Sequence, residues 1–362
     1  MKNFLRVGSA IFVLSIAMVI SNPVFAQSDS WATKASMPIA EYLPAAGAIG
    51  AKLYVVGGAP GGCPSSNALQ VYDSLTNIWT SMASLPEPKH AGGAGVINEK
   101  LYVVGGTTSG CSDPGNASLY VYDPVMGVWT RKADMLTTRA NLGVGVIAGK
   151  LYALGGQNGG EPMNVFEMYD PVADVWTSKA SFPTGIANPV IGVIDGKMYV
   201  AGGLEVCCTS LATLRVYDPA TDAWTSKASM PSGRNQAAGG AINGILYVSG
   251  GIEPADNTKT LFAYDPATDS WTTKAPMSTA RGGHAAATIN DKLYVVGGNS
   301  SGGVGPLASL EVYTPTGTPP PPPPVGPPTD KDLCKKGGWQ IFNTPRTFKN
   351  QGDCIQFVNT GK

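Results

Sequence analysis

The sequence predicts an all-β fold built from six four-stranded units, and three markers recurring in one register predict it. Tryptophans stand at Trp31, Trp79, Trp129, Trp176, Trp224 and Trp271, at intervals of 48, 50, 47, 48 and 47 residues. Glycine pairs at Gly57-Gly58, Gly105-Gly106, Gly155-Gly156, Gly202-Gly203, Gly250-Gly251 and Gly297-Gly298 keep the same five intervals. A Tyr-Asp pair recurs at Tyr72-Asp73, Tyr122-Asp123, Tyr169-Asp170, Tyr217-Asp218 and Tyr264-Asp265, with Tyr313-Thr314 as an altered sixth copy.

The fourth unit shows how each is built. Val190–Ile194 is apolar, and Asp195-Gly196 supplies a hairpin turn whose backbone twist matches paired strands. Lys197–Ala201 returns and ends at Gly202-Gly203, and after a variable loop residues 213–217 form the third strand. Asp218-Pro219-Ala220-Thr221-Asp222 is a tight turn, proline fixing φ and aspartate bonding its own backbone, and residues 224–227 make the fourth strand. Turns recur at Asn243-Gly244, Ala148-Gly149 and Asp265-Pro266, and no stretch carries helical periodicity.

An apolar strand ending in Gly-Gly, then Tyr-Asp, then Trp, at about fifty residues per copy, resembles the kelch repeat throughout residues 31–315. The resemblance implies one propeller blade per repeat and a six-bladed β-propeller, with the Tyr and Trp wedged between blades. The last repeat has its Gly-Gly and Tyr313 but no following Trp. The segment Trp31-Ala32-Thr33-Lys34-Ala35 matches Trp224-Thr225-Ser226-Lys227-Ala228 and Trp271-Thr272-Thr273-Lys274-Ala275. The N-terminal strand is therefore expected to supply the outer strand of the last blade, closing the ring and removing an open sheet edge.

The flanks read differently. Residues 1–26 carry Lys2 and Arg6, an apolar stretch over residues 10–20, Pro23 and small residues to Ala26, the pattern of a secretory signal peptide. Export to the periplasm, cell surface or medium follows as an expectation. No later run reaches the length of a spanning helix. The propeller then occupies residues 27–317, and residues 318–328 form a proline-rich linker, extended over roughly 30 Å at about 3.1 Å per residue. Residues 329–362 resemble a short two-cysteine module carried by many secreted bacterial proteins. Thirty-four residues cannot bury a self-sufficient core, so a Cys334–Cys354 disulfide is the expected staple. Cys63 and Cys111 could tie adjacent blades, and Cys207 and Cys208 could form a vicinal pair, although six cysteines allow fifteen pairings.

Composition narrows the function. Twenty-five basic residues balance 25 acidic ones, which argues against nucleic acid as a partner. Aligned on Ile49, Ile97, Ile147, Ile194, Ile242 and Ile289, the position eight residues earlier is Glu41, Lys89, Arg139, Ile186, Arg234 and Arg281. This column puts four cations around one mouth of the ring. The loops after each glycine pair add acids, Glu205 and Glu253 among them, with Asp113, Glu161 and Asp256. Two readings of the arginines stand side by side. They fork carboxylates of a protein or an acidic sugar, or each holds its own loop through backbone carbonyls and a neighbouring acid.

A copper site like that of galactose oxidase, another kelch protein, needs two histidines; His90 and His284 fall at different offsets in their repeats, and no metal or other cofactor is expected. The bacterial sialic-acid mutarotase, an exported six-bladed kelch propeller, is a nearer comparison, Glu205 or Glu253 with an arginine standing as acid/base and carboxylate clamp. The leading expectation is a secreted binding or scaffold protein that engages a protein or glycan through the loop face around the central channel. A carbohydrate-active enzyme of the mutarotase or epimerase kind is the alternative, and envelope architecture without a ligand is the third. The sequence leaves the oligomeric state open.

Overall fold

The computed structural model describes residues 29–61, 64–108, 114–205, 209–253, 255–301 and 305–315. The expected signal segment, linker, C-terminal module and all six cysteines, with their pairings, lie outside the described residues, as does Asp113.

Six antiparallel four-stranded sheets follow one another as blades. Blade one is Ala45–Ile49, Lys52–Val56, Leu69–Asp73 and Ile78–Met82, running from the channel outward. Blade six pairs Ala285–Ile289, Lys292–Val296 and Leu310–Thr314 with Ser30–Lys34 as its outer strand. The register of that closing pair runs from Ser30 opposite Thr314 to Lys34 opposite Leu310. The expected closure by the N-terminal strand is thus present, and it leaves blade six with the same four strands as its neighbours. In blade four the third and fourth strands are Leu214–Asp218 and Ala223–Lys227, within one residue of the expected bounds.

The core lies between blades rather than within them. Tyr54, Val56 and Val71 of blade one pack against Leu101, Val103 and Tyr122 of blade two, and comparable apolar clusters fill the other junctions. A four-stranded blade is apolar on both faces and can bury them only against two neighbours, which is why the repeat must close into a ring.

The Trp marker has a specific task at each junction. Every repeat indole donates to a backbone carbonyl of the preceding blade: Trp79 to Ala35 at 2.7 Å, Trp176 to Ala133 at 2.8 Å, and Trp31 to Ala275 at 2.7 Å across the closure. The Tyr marker is buried, and in blades one, three, four and five its hydroxyl donates to an Asx five residues on, as in Tyr169 to Asp174 and Tyr217 to Asp222, both at 2.6 Å. The same Asx oxygen accepts the backbone N–H of that preceding-blade alanine, Ala133 at 3.0 Å and Ala180 at 3.1 Å. One side chain thus fixes its own turn and the neighbouring blade.

The glycine pair answers to the loop that enters the next blade. Gly57 sits at φ +65°, and a Cβ there would lie 2.1 Å from the Lys89 carbonyl oxygen, so only glycine fits.

Candidate functional site at the channel mouth

The loops that enter each inner strand converge on one mouth of the channel. Six residues before each aligning isoleucine stand Leu43, Ala91, Asn141, Asn188, Gln236 and Gly283, all left-handed, with φ from 50° to 62°. Five of the six successive pairs are joined by a backbone hydrogen bond. Ala91 donates to Leu43 O, Asn141 to Ala91 O, Asn188 to Asn141 O, Gly283 to Gln236 O and Leu43 to Gly283 O, at 2.7 to 2.9 Å. Left-handed backbone costs a non-glycine residue on the order of 1 kcal/mol. The inter-blade bonds offset that cost and fix the mouth as a rigid rim.

The side chains on this rim are not equivalent. Asn141, Asn188 and Gln236 present amides, whereas Leu43, Ala91 and Gly283 are apolar or bare. Tyr42 lies across Gly283, where a Cβ would come within 2.2 Å of its ring, and donates its hydroxyl to Gln236 Oε1 at 2.9 Å.

Beside the mouth, over blades one to three, a cavity of about 460 Å³ is lined by Tyr42, Leu43, His90, Ala91, Thr107, Ala140, Asn141, Gln157 and the Gly159-Gly160 turn. The volume falls in the usual range of small-molecule sites, about 300–1,000 Å³. His90 is nearly buried, its Nδ1 2.7 Å from Ser65 Oγ and 3.0 Å from Thr107 Oγ1. Asn141 Nδ2 donates to Gln157 Oε1 at 2.9 Å, while its Oδ1 is buried without a donor among the described residues. Gln157 Nε2 donates to Gly160 O at 2.9 Å, holding the turn of a short ladder, Gln157–Asn158 with Glu161–Pro162, over the cavity. Burial raises the Tyr42 phenol above its ordinary pKa, with the Gln236 bond opposing, so it stays protonated.

The column of cations lies elsewhere. Arg139, Arg234 and Arg281 have no exposed surface, and Lys89 has almost none. Each caps the carbonyl at the end of its blade's second strand: Arg139 that of Ala153 at 3.1 Å, Arg234 that of Gly250 at 2.9 Å, Arg281 that of Gly297 at 3.0 Å, Lys89 that of Gly105 at 3.0 Å. Each also pairs with a carboxylate, respectively Glu167 at 2.8 Å, Glu253 at 2.9 Å, Glu311 at 2.6 Å and Glu87 at 2.9 Å. This corrects the expectation that they fork a ligand's carboxylate. Between the two sequence readings, the arrangement is that of cations holding their own loops. The reason is register: eight residues before the isoleucine the chain is still inside the blade junction, and it surfaces at the channel one or two residues later.

Glu41, expected among the ligand contacts, is likewise fully buried, and neither carboxylate oxygen has a well-formed hydrogen bond. Burial pushes it up to about 7, the Ser66 hydroxyl offsetting part of the effect. Glu253 is held by Arg234, and Glu205 is half-buried on the ladder Leu204–Glu205 of blade four; neither lines the cavity. Of the residues that line it, His90 alone stands out in the sequence, and the others sit one or two positions past the cation column or on the loops after the glycine pairs. The rim column carries its own signal, since Asn and Gly at one aligned position announce left-handed backbone.

A model of the KLHDC2/KLHL20/DRC7 kelch-repeats domain matches residues 44–230, and the kelch motif matches residues 233–278 and 280–317. No curated protein matches the chain in sequence. Among solved structures the chain resembles that of YjhT, with a TM-score of 0.68 at 17% identity, over 78% of this chain and 97% of that one. At that identity the likeness is one of fold.

Proposed function

The chain belongs to the kelch-repeat family, and from that premise we propose that it is an exported carbohydrate-active propeller. It takes an uncharged sugar into the cavity beside the channel mouth and exchanges its anomers. The lining carries the reading: amides, a phenol and a hydroxyl that can both donate and accept stand over Leu43, Ala91 and Ala140, with no Lys or Arg among the lining residues. Such a wall suits a polyhydroxylated ring with one apolar C–H face, and it lacks the fixed cation that an acidic sugar would call for. Residues 1–26 support export.

Anomer exchange needs a proton taken from the anomeric hydroxyl as the ring C–O bond breaks, and one delivered to the ring oxygen. Imidazole is the side chain suited to both near neutrality, and His90 is the histidine that lines the cavity. The Ser65 and Thr107 hydroxyls orient it.

A second reading, binding without catalysis, is favoured by a specific observation: no carboxylate lines the cavity among the described residues. One experiment separates the two. Anomer exchange is followed by NMR for a panel of neutral and acidic monosaccharides, with ligand titration alongside. The expected result is acceleration for a neutral sugar, reduced roughly 100-fold or more in His90→Ala. Binding should stay within about threefold in that variant, and Asn141→Ala should weaken it about tenfold. Binding without acceleration would transfer the protein to the second reading, and no binding across the panel would sink both.

A further inference from the structure

Strand alternation puts the hairpin turns, between strands one and two and between strands three and four, at the opposite end of the blades from the channel-mouth cavity. That end is asymmetric. The outer turns of blades one to three expose large apolar side chains: Leu75 at 79%, Val125 at 89%, Met126 at 70% and Val172 at 95%. The corresponding turns of blades four and five, residues 220–223 and 267–270, carry only Ala, Thr, Asp and Ser. Blades one, two and three are consecutive in the ring, so the exposed tips form one arc. These four exposed apolar side chains stand on the outer turns of three adjacent blades, a set that a docking partner could cover.

The same end is acidic. Twelve Asp and Glu side chains stand in or beside its turns; Asp29, Asp73, Asp123, Asp170, Asp218 and Asp222 pair with Lys274, Lys52, Lys100, Lys150, Lys197 and Lys179, while Glu99, Asp174, Asp195, Asp265, Asp269 and Asp291 carry no ion pair among the described residues. An apolar partner suited to this surface is therefore basic.

The chain itself supplies one. Its last strand runs Leu310–Thr314 with Thr314 opposite Ser30, so the polypeptide leaves the propeller at this end, on blade six, directly beside blade one. Forty-seven residues follow Pro315. Residues 329–362 hold six basic and three acidic side chains, together with Trp339, Phe342, Phe348 and Phe357. The intervening residues 318–328, at about 3.1 Å each when extended, reach roughly 30 Å, enough to pass from blade six over blade one. We propose that the C-terminal segment, residues 329–362, docks on the apolar arc of blades one to three in its own chain, its basic residues facing the acidic turns. The propeller then keeps its channel-mouth face free for a ligand while the opposite end is covered.

The test uses the full secreted chain, isolated as a monomer. A carbodiimide joins amines to carboxylates in contact, and mass spectrometry locates the links. Links from Lys335, Lys336 or Lys349 to Glu99, Asp123, Asp170 or Asp174 are expected. They should fall at least fivefold in Leu75→Glu/Val125→Glu/Val172→Glu, whose three sites are exposed, with the thermal midpoint unchanged. Mixing unlabelled and ¹⁵N-labelled chains separates links within one chain from links between two. Links only between copies would assign the arc to a second molecule and overturn the proposal. Absent links, or links indifferent to the triple substitution, would also overturn it.

Discussion

Replacing Arg139 by Met should separate a loop-holding arginine from a ligand-binding one. Its guanidinium and the Glu167 carboxylate are both fully buried, 2.8 Å apart, and the second Glu167 oxygen accepts the Leu136 N–H at 3.0 Å. Burial pulls the guanidinium below its usual range, and Glu167 acts in the opposite direction. At this distance the attraction is about 6 kcal/mol for an effective dielectric near 20, comparable to the several kcal/mol that desolvating each ion costs. The intact pair therefore contributes little net stability, but removing one member strands the other. Arg139→Met leaves a buried carboxylate without its cation, at a cost of about 3–5 kcal/mol. The lost bond to Ala153 O adds about 1 kcal/mol. For a domain of this size the total corresponds to a fall of roughly 8–12 °C in Tm, at about 2 °C per kcal/mol. Arg139→Met/Glu167→Leu removes both ions and should recover most of the loss. Urea unfolding of the parent, both single variants and the double variant closes the cycle, with a coupling of at least about 2 kcal/mol expected. A single-variant cost below about 1 kcal/mol, or strictly additive losses, would refute the reasoning. Loss of sugar binding at unchanged stability would return Arg139 to the ligand.

Two further perturbations test the frame. Burial holds the Glu41 carboxyl at about 7 in the folded chain, against 4.5 for an ordinary glutamate, so the folded state holds its proton more tightly than the unfolded one. Stability from this residue is complete below about pH 4.5 and is lost as pH rises through 7, by up to about 3 kcal/mol at 1.4 kcal/mol per unit. Glu41→Gln should flatten that part of the stability profile and raise Tm at pH 8, read by thermal melts from pH 4.5 to 8. Gly57→Ala should cost at least about 3 kcal/mol, because left-handed backbone and a 2.1 Å clash with Lys89 O coincide. Gly127→Ala, at φ +70° with open space around the added methyl, should cost only about 1 kcal/mol, and paired urea titrations compare the two.

The Trp column was legible as a repeat, and the structure adds that each indole ties its blade to the preceding one. The Asx that receives the Tyr hydroxyl was visible only as a turn residue. Asp174 and Asp222 read locally, and their bonds to Ala133 and Ala180 cross to another blade. His90 stands out in the sequence as one of two histidines, but its place in the cavity wall depends on loops from three blades meeting.

What the sequence by itself determined is the architecture: a fifty-residue period with three markers, and an N-terminal Trp strand that completes the sixth unit. These are encoded locally and repeated six times, so the period could be read without knowing how the blades meet. Only the tertiary structure decided which variable residues face the cavity beside the channel mouth. A shift of one or two positions along an entering loop moves a side chain from a dry blade junction to the channel mouth. Arg139 and Asn141 are two residues apart, and one is sealed against Glu167 while the other lines the cavity. That difference is set by the left-handed turn between them and by the neighbouring blade it bonds to, which lies about fifty residues away in the chain.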